Sequence, residues 1–525
     1  MRTANTKEHS PAWWQLMILA LLPALFNLLI LAILGRTTLF SAQPSWNDSI
    51  GYWHQGLSFA HVGFGNGNYS VNEQLAKLPA SNYGNYGPWY ALLFGPIALV
   101  LGWAPYSIHL WNFVFLTLCF LAFLFLAQLS LRRALVVTAL VVTWMPIMFY
   151  LPVGIMDGTH LAMAILIAGL FVRIKKTDGQ IWVWLALAAL VLISLPRPSW
   201  APVIAVWACL VCAKPATRWP KLIGFLAMAL VIGAGIFLQF QYLVAPFPNI
   251  APAYDIIKGS GSPASIASAQ INALSATISA AWAEARTGEG LAVTTFVLAG
   301  HVILAVLALL VMGIVKLVKW LRNGRDPSAL AKALFSLGGA LTFVAITALY
   351  MFYQGQRVMA SPLLLFALFF VATEKTSKLW RILAVIMIVT NIASIQAFRR
   401  LYADYVLKEF PVSTALTPEF DRMIKAADVH YTPGAPAWCN TLMANQHLPF
   451  FKSYYFTALP AGVAFSYAHN PLGTDTVQTP LKSKYVLLYD EAKPDWQKGL
   501  NLKPLSQSAQ IGGALYFNLD SGCAP

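Results

Sequence analysis

Uncharged apolar runs of about 20 residues recur along this sequence, and a helix of that length is what it takes to cross a hydrocarbon core roughly 30 Å thick. The first run is Trp13–Leu34. It is long for a secretory signal, its basic flank holds only Arg2 and Lys7, and no small-residue cleavage site follows it, so it reads as a retained anchor. Further runs at 106–131, 134–152, 158–173, 180–196, 199–213, 219–244, 291–315, 329–350, 358–373 and 378–397 bring the expected spans to eleven. Composition agrees, with 58% hydrophobic and 10% charged residues, where a soluble domain carries about 25% charged. The expected fold class is therefore mainly α, a polytopic membrane protein.

The charges orient it. A net charge of +15 would suit a nucleic-acid partner, but the Lys and Arg residues sit in short clusters between apolar runs, which is the pattern of inside loops. No nucleic-acid partner is expected. The segment Trp89–Trp103 (WYALLFGPIALVLGW) is short for a span and is interrupted by Gly95 and Pro96. If it lies flat on the outer surface, 16 basic residues fall in inside loops, and only Arg197, Lys258, Arg286 and Arg357 fall outside between the same spans. If it crosses, the bias reverses, against the positive-inside rule. The N-terminus is then inside and the C-terminus outside. Residues 1–397 form a membrane domain, with a first outer loop over 35–105 carrying juxtamembrane helices and a second over 245–290. Residues 398–525 form an outer C-terminal piece.

That C-terminal piece has turn-rich polar stretches and strand-like runs at Lys484–Tyr489 and Ala514–Leu519, as a small soluble α/β domain would. Cys439 and Cys523 both lie in it, and an oxidising outer compartment would permit a disulfide between them. Cys119, Cys209 and Cys212 fall within apolar runs and read as small hydrophobes.

Acidic residues are scarce before the tail, and Asp48, Glu73, Asp157, Asp255, Glu284 and Glu289 all fall outside, none at mid-membrane. Asp48 stands in SWNDSIGYWHQG, where Asp48, Tyr52 and Gln55 share one face if the segment is helical. Asp157 stands in PVGIMDGTHL. Each has a plainer reading as a helix-opening acid. Loop one adds Tyr83, Tyr86, Glu73 and many Asn residues, which suit a sugar with flat faces and paired amides, or an interfacial aromatic belt with turn-forming Asn. Arg197 in SLPRPSW and Arg357 in YQGQRVMASP are isolated outer-edge cations, fit either to clamp a phosphate or to meet lipid headgroups. His54, His61 and Glu73 are the residues that could ligate a divalent metal, but they form no dense ligand motif, so no metal and no cofactor is expected.

In order and in side, these features resemble the GT-C superfamily of membrane glycosyltransferases that use polyprenyl-phosphate sugars. The likeness covers roughly 13–375. It rests on SWNDSIGYW after the first span, YGNYGPWYALLFGP at the end of the loop, Asp157 in IMDGTH, Arg197 in LPRPSW and Arg357 in QRVMASP. Two departures stand out: the common Asp-Glu pair is Asp48-Ser49, and a His-Pro-Pro or Lys-Pro-Pro motif is Tyr86-Gly87-Pro88. The second removes a cation or metal ligand and favours metal-independent chemistry. The resemblance implies inverting transfer. Asp48 would be the general base, and Asp157 would orient the acceptor or assist the base. Arg357 and Arg197 would bind the donor phosphate, and Tyr52, Gln55, Tyr83, Tyr86 and Glu73 would line the sugar or acceptor site. The implied partners are a polyprenyl-phosphate sugar, membrane lipids and an acceptor that is a lipid-linked glycan, a lipid or a protein. A transporter or flippase for a lipid-linked or small polar substrate is the alternative. Two glycosylation sequons, at Asn47 and Asn68, lie in the loop, and a glycan at Asn47 would obstruct Asp48. A bacterial inner membrane is therefore the expected location.

Overall fold

A computed structural model describes residues 11–33, 36, 38–44, 47–78, 81–84, 86–152, 154–215, 217–245, short pieces of 262–283, 291–322, 326–349, 352–373, 378–402, 408–445, 454–468, 481–489 and 499–524. The helices are α1 Trp13–Ile33, α2 Asn47–Val62, α3 Trp89–Leu101, α4 Ser107–Ala127, α5 Leu131–Val142, α6 Met145–Tyr150, α7 Asp157–Lys176, α8 Gln180–Ser194, α9 Ala201–Cys212, α10 Trp219–Leu243, α11 Leu291–Arg322, α12 Pro327–Leu349, α13 Phe352–Ala372, α14 Lys378–Ala393, α15 Ile395–Tyr402 and α16 Lys408–Ala426. Among the described residues, seven helices are long and apolar enough to cross a membrane, while α3, α8, α9 and α13 are apolar but shorter. The expected run 134–152 is two helices. The break comes at Thr143 and Trp144, where Pro146 opens α6. Most of the second outer loop, with Asp255, Glu284 and Glu289, lies outside the described residues.

The helices sort by which surface they hide. α7 is buried over most of its length, and α13 is buried almost all round from Val358 to Ala372. Leu363, Leu365, Phe366 and Leu368 of α13 have no exposed surface. A helix apolar on every side and enclosed by others belongs at the centre of a bundle. By contrast α1 exposes Ile18, Leu25 and Leu29, and α10 exposes Ile223, Leu230, Val231 and Phe237. Exposed aliphatic surface of that extent marks a face that meets lipid.

α3 has 13 residues, a length of about 20 Å that falls short of the hydrocarbon core. It packs along α2, where Gly95 leaves room for Phe59: a Cβ there would sit 2.1 Å from the Phe59 ring. Two indoles tie the far end. Trp53 Nε1 donates to Ala104 O at 2.9 Å, and Trp103 Nε1 donates to Trp53 O at 2.8 Å.

The tail holds a five-stranded sheet: β1 Thr441–Ala444, β2 Ala464–Tyr467, β3 Tyr485–Tyr489, β4 Leu502–Ser508 and β5 Gly513–Asn518, in the order β2-β1-β3-β5-β4. The β1 pairings are parallel, and those of β5 are antiparallel. A Cys439–Cys523 disulfide joins the entry to β1 with the chain beyond β5. This domain does not stand apart from loop one. Val71 forms a parallel bridge with Tyr467 at the β2 edge. Gly67 N donates to Gly462 O and Asn72 N to Tyr467 O, both at 2.9 Å. Glu73 accepts from Lys482 N and Ser483 N at 2.8 and 2.7 Å. One apolar core runs through both parts, including Ile50, Tyr69 and Tyr83 from the loop and Phe420, Leu442, Phe456 and Phe465 from the tail.

His54 sits inside this joint. Its Nε2 faces Leu459 O at 3.0 Å and its Nδ1 faces the Tyr69 hydroxyl at 2.8 Å. A carbonyl only accepts, so Nε2 carries a proton, and burial favours the neutral ring. Burial pulls its pKa down to about 4. Between that value and the ordinary value of about 6.5, only an opened joint takes up the proton. The joint is therefore at full strength above about pH 6.5 and loses on the order of 3 kcal/mol as pH falls to about 4. The hydrogen-exchange protection factor across 454–467, which already allows for the intrinsic slowing of amide exchange in acid, should fall as pH drops through that range in the native protein, and that fall should disappear in His54→Gln. Gly67→Ala should open the same joint at any pH, because its Cβ would lie 1.8 Å from Asn440 O. Faster limited proteolysis of loop one would report it.

Candidate functional site

Three helices and one interhelical break deliver the charged groups. Asp48 lies in the first turn of α2 and Asp157 opens α7, both places where a carboxylate meets unsatisfied backbone N–H groups and the positive end of the helix dipole. Arg197 stands between Pro196 and Pro198 with extended backbone (φ −143°, ψ 92°). A residue before proline disfavours the helical region, so the chain breaks between α8 and α9 and the guanidinium projects from the break. Arg357 lies near the start of α13.

These four groups form one alternating chain. Arg197 Nη1 donates to Asp157 Oδ1 at 2.8 Å. Arg357 Nε lies 3.4 Å from Asp157 Oδ2. Arg357 Nη1 and Nη2 both lie 3.3 Å from Asp48 Oδ2. Exposure rises along the chain: the Arg197 and Asp157 side chains are 2% and 4% exposed, and those of Arg357 and Asp48 are 25% and 31% exposed. Arg197 therefore stands behind Asp157, while Arg357 and Asp48 form the accessible end.

Phenols surround this end. Tyr52 packs against Tyr86 and Tyr90 with ring centroids 5.8 and 5.0 Å apart. Burial, with Tyr86 and Asp48 beside it, holds the Tyr52 hydroxyl well above the usual phenol range. Tyr467, the last residue of β2, lies within electrostatic reach of Asp48 and Tyr86, and burial likewise pushes its pKa up. The C-terminal domain thus reaches the acid. Gln55 is buried one turn beyond Tyr52.

Two expected lining residues lie in the joint instead. The Tyr83 hydroxyl accepts from Asn66 Nδ2 at 2.6 Å and donates to Gly63 O at 3.1 Å, and its ring stacks on Tyr69. Both Glu73 oxygens accept from the backbone N–H groups of the tail noted above. Nor do His54, His61 and Glu73 gather: His54 is held in the joint, and His61 Nδ1 bonds Leu57 O on its own helix at 2.8 Å. Among the described residues, no group of three His, Cys, Asp or Glu side chains could hold a metal ion.

Sequence reasoning missed Tyr90, Tyr150, His160, Trp200 and Tyr467. Tyr90 and Tyr150 lie within electrostatic reach of Asp157, Arg197 and Arg357. His160 bonds Tyr90 at 2.6 Å and Trp200 at 3.2 Å. The spacing of Asp157 and His160 at i, i+3, and of Tyr86 and Tyr90 at i, i+4, was the available signal for two of them. Nothing local marks Tyr467.

Comparison with known proteins bears on architecture only. No family profile matches the sequence, and no curated protein matches it. Among solved structures, the chain is similar to ArnT from Cupriavidus metallidurans bound to undecaprenyl phosphate, at 11% identity and TM-score 0.45, over 98% of this chain and 100% of that one. It is similar to the archaeal oligosaccharyltransferase AglB from Archaeoglobus fulgidus in complex with an inhibitory peptide and a dolichol-phosphate, at 14% identity and TM-score 0.48, over 97% of this chain and 75% of that one.

Removing Arg197 should leave Asp157 buried with half its compensation gone. Arg197→Ala should lower stability by about 3–5 kcal/mol, the usual cost of stranding one member of a buried pair. Thermal unfolding in detergent checks this, and an unchanged midpoint would show that Arg357 alone suffices for Asp157.

Proposed function

We propose that this protein is a membrane glycosyltransferase that moves a sugar from a polyprenyl-phosphate-linked donor to a hydroxyl on a lipid-linked glycan, a lipid or a protein, with inversion, at the outer face of a bacterial inner membrane. The observation that carries this reading is the accessible Asp48–Arg357 end of the ion chain, set among phenols beneath the loop-and-tail roof. A carboxylate beside a guanidinium is what transfer from a phosphate leaving group requires: one group to take a proton and one to receive negative charge.

Asp48 takes the proton of the acceptor hydroxyl as its oxygen bonds to the anomeric carbon. The bond from that carbon to the phosphate oxygen breaks, and the electron pair leaves with the polyprenyl phosphate. Arg357 meets the charge that develops there. Both Asp157 oxygens are already held by arginine, so its part is to aim Arg357, with Arg197 supporting it from behind. Tyr52, Tyr86 and Gln55 line the acceptor side.

Two features support an outer active site in a bacterial envelope, the first for the side of the membrane and the second for the bacterial setting. The Cys439–Cys523 disulfide suits an oxidising compartment. Asn68, the second sequon residue, is buried with its amide donating to Ser70 Oγ at 2.6 Å, which suits a chain that does not carry a glycan there.

The test is transfer of labelled sugar by purified protein in liposomes. Asp48→Asn should lower turnover by about 10²–10⁴-fold while folding persists, and turnover like the native protein's would remove Asp48 as the base. Arg357→Ala should weaken donor binding more than acceptor binding. Flux of substrate across the liposome without any transfer would favour a transporter instead.

A further inference from the structure

Three buried side chains behind the ion chain fix the position of a proton. Trp200 Nε1 lies 3.2 Å from His160 Nδ1. An indole N–H only donates, so Nδ1 is an acceptor and carries no hydrogen. The imidazole proton is therefore on Nε2, which faces the Tyr90 hydroxyl at 2.6 Å. The Tyr90 oxygen accepts that bond, which leaves its own O–H to donate elsewhere. Trp200 and His160 have no exposed surface, and Tyr90 is 2% exposed. Among the described residues, Tyr90 makes no second hydrogen bond, although its phenol lies within reach of Arg197, Asp157 and Arg357. A buried hydroxyl beside two cations, with its oxygen already occupied, is set to donate a hydrogen bond to an incoming anion.

We propose that Tyr90, held by the Trp200–His160 pair, is a further hydrogen-bond donor to the phosphate group that Arg357 meets. This rests on the phosphate role given to Arg357 above. One turn of α7 then serves both donors, because Asp157 aims Arg357 and His160, three residues on, aims Tyr90. The hydroxyl is oriented before the ligand arrives, so no reorganisation is needed when it binds.

The experiment measures binding of undecaprenyl phosphate to the purified full-length protein in nanodiscs, with inorganic phosphate and undecaprenol as separate probes. Tyr90→Phe should weaken undecaprenyl phosphate binding on the order of ten- to a hundredfold, as loss of a bond to a charged group does. Undecaprenol binding and the unfolding midpoint should be unchanged. Competition by inorganic phosphate should weaken in the same variant. His160→Leu should lose a similar factor. His160→Gln should recover most of it, since an amide can accept from Trp200 and donate to Tyr90. The double variant Tyr90→Phe/His160→Leu should be no weaker than either single one. If Tyr90→Phe binds undecaprenyl phosphate like the native protein while Arg357→Ala does not, the inference falls and the phosphate role of Arg357 stands. If Arg357→Ala also binds it normally, that role falls too. A Tyr90→Phe protein that unfolds earlier but keeps its affinity would assign the proton to Asp157, and would equally overturn the inference.

Discussion

Everything around the site depends on keeping Asp157 ionised where almost no water reaches it. An isolated carboxylate so placed would carry a desolvation cost of several kcal/mol. Here one arginine engages each of its oxygens, at 2.8 and 3.4 Å. That arrangement holds the breaks between α6 and α7 and between α8 and α9 against the start of α13, because the charges come from those three places. It also sets the gradient from a dry inner pair to a wetter outer one. Among the four groups of the ion chain, charge that is compensated but still accessible lies at Arg357 and Asp48, and that is where a substrate can meet it.

The second constraint is the roof. Loop one and the C-terminal domain share a core, a strand bridge and a set of backbone hydrogen bonds, so neither covers the ion chain alone. Their joint includes a close approach that tolerates no side chain, at Gly67 against Asn440 O, and the loop is itself closed by another, at Gly84 against Tyr69 O. Through it, a residue more than 400 positions from Asp48 in the sequence, Tyr467, comes within reach of that acid. The roof and the acid-bearing helix thus form one body, since α2 contributes Ile50 and His54 to the same joint.

The sequence was most legible where the environment is simplest. Apolar runs near Trp13–Ile33, Ser107–Ala127 and Trp219–Leu243 announce helices because a lipid-facing segment must be apolar and must satisfy its own backbone. The strand-like runs at 484–489 and 514–519 announced β3 and β5 for a similar reason, since buried strands are continuously apolar. Asp48, Asp157, Arg197 and Arg357 were visible because charges at apolar boundaries are few. The division of labour among them was not. Arg197 and Arg357 look alike as isolated edge cations, yet one is 2% exposed and the other 25%. Tyr83 and Tyr86 stand three residues apart in the same loop, yet one stacks within the joint and the other packs against Tyr52.

By itself, then, the sequence determined the mainly helical apolar bundle, the place of the charged residues at the ends of its helices and the presence of a small mixed domain at the tail. Length and hydrophobicity act locally, and each segment answers to them separately. Only the tertiary structure decided that the tail clamps loop one, that Glu73 and Tyr83 serve that clamp, and that Trp200, His160 and Tyr90 line up behind Asp157. Those outcomes depend on which side chains meet after the helices pack. The donor and acceptor matching that sets their roles joins residues far apart in the chain, which no local pattern records.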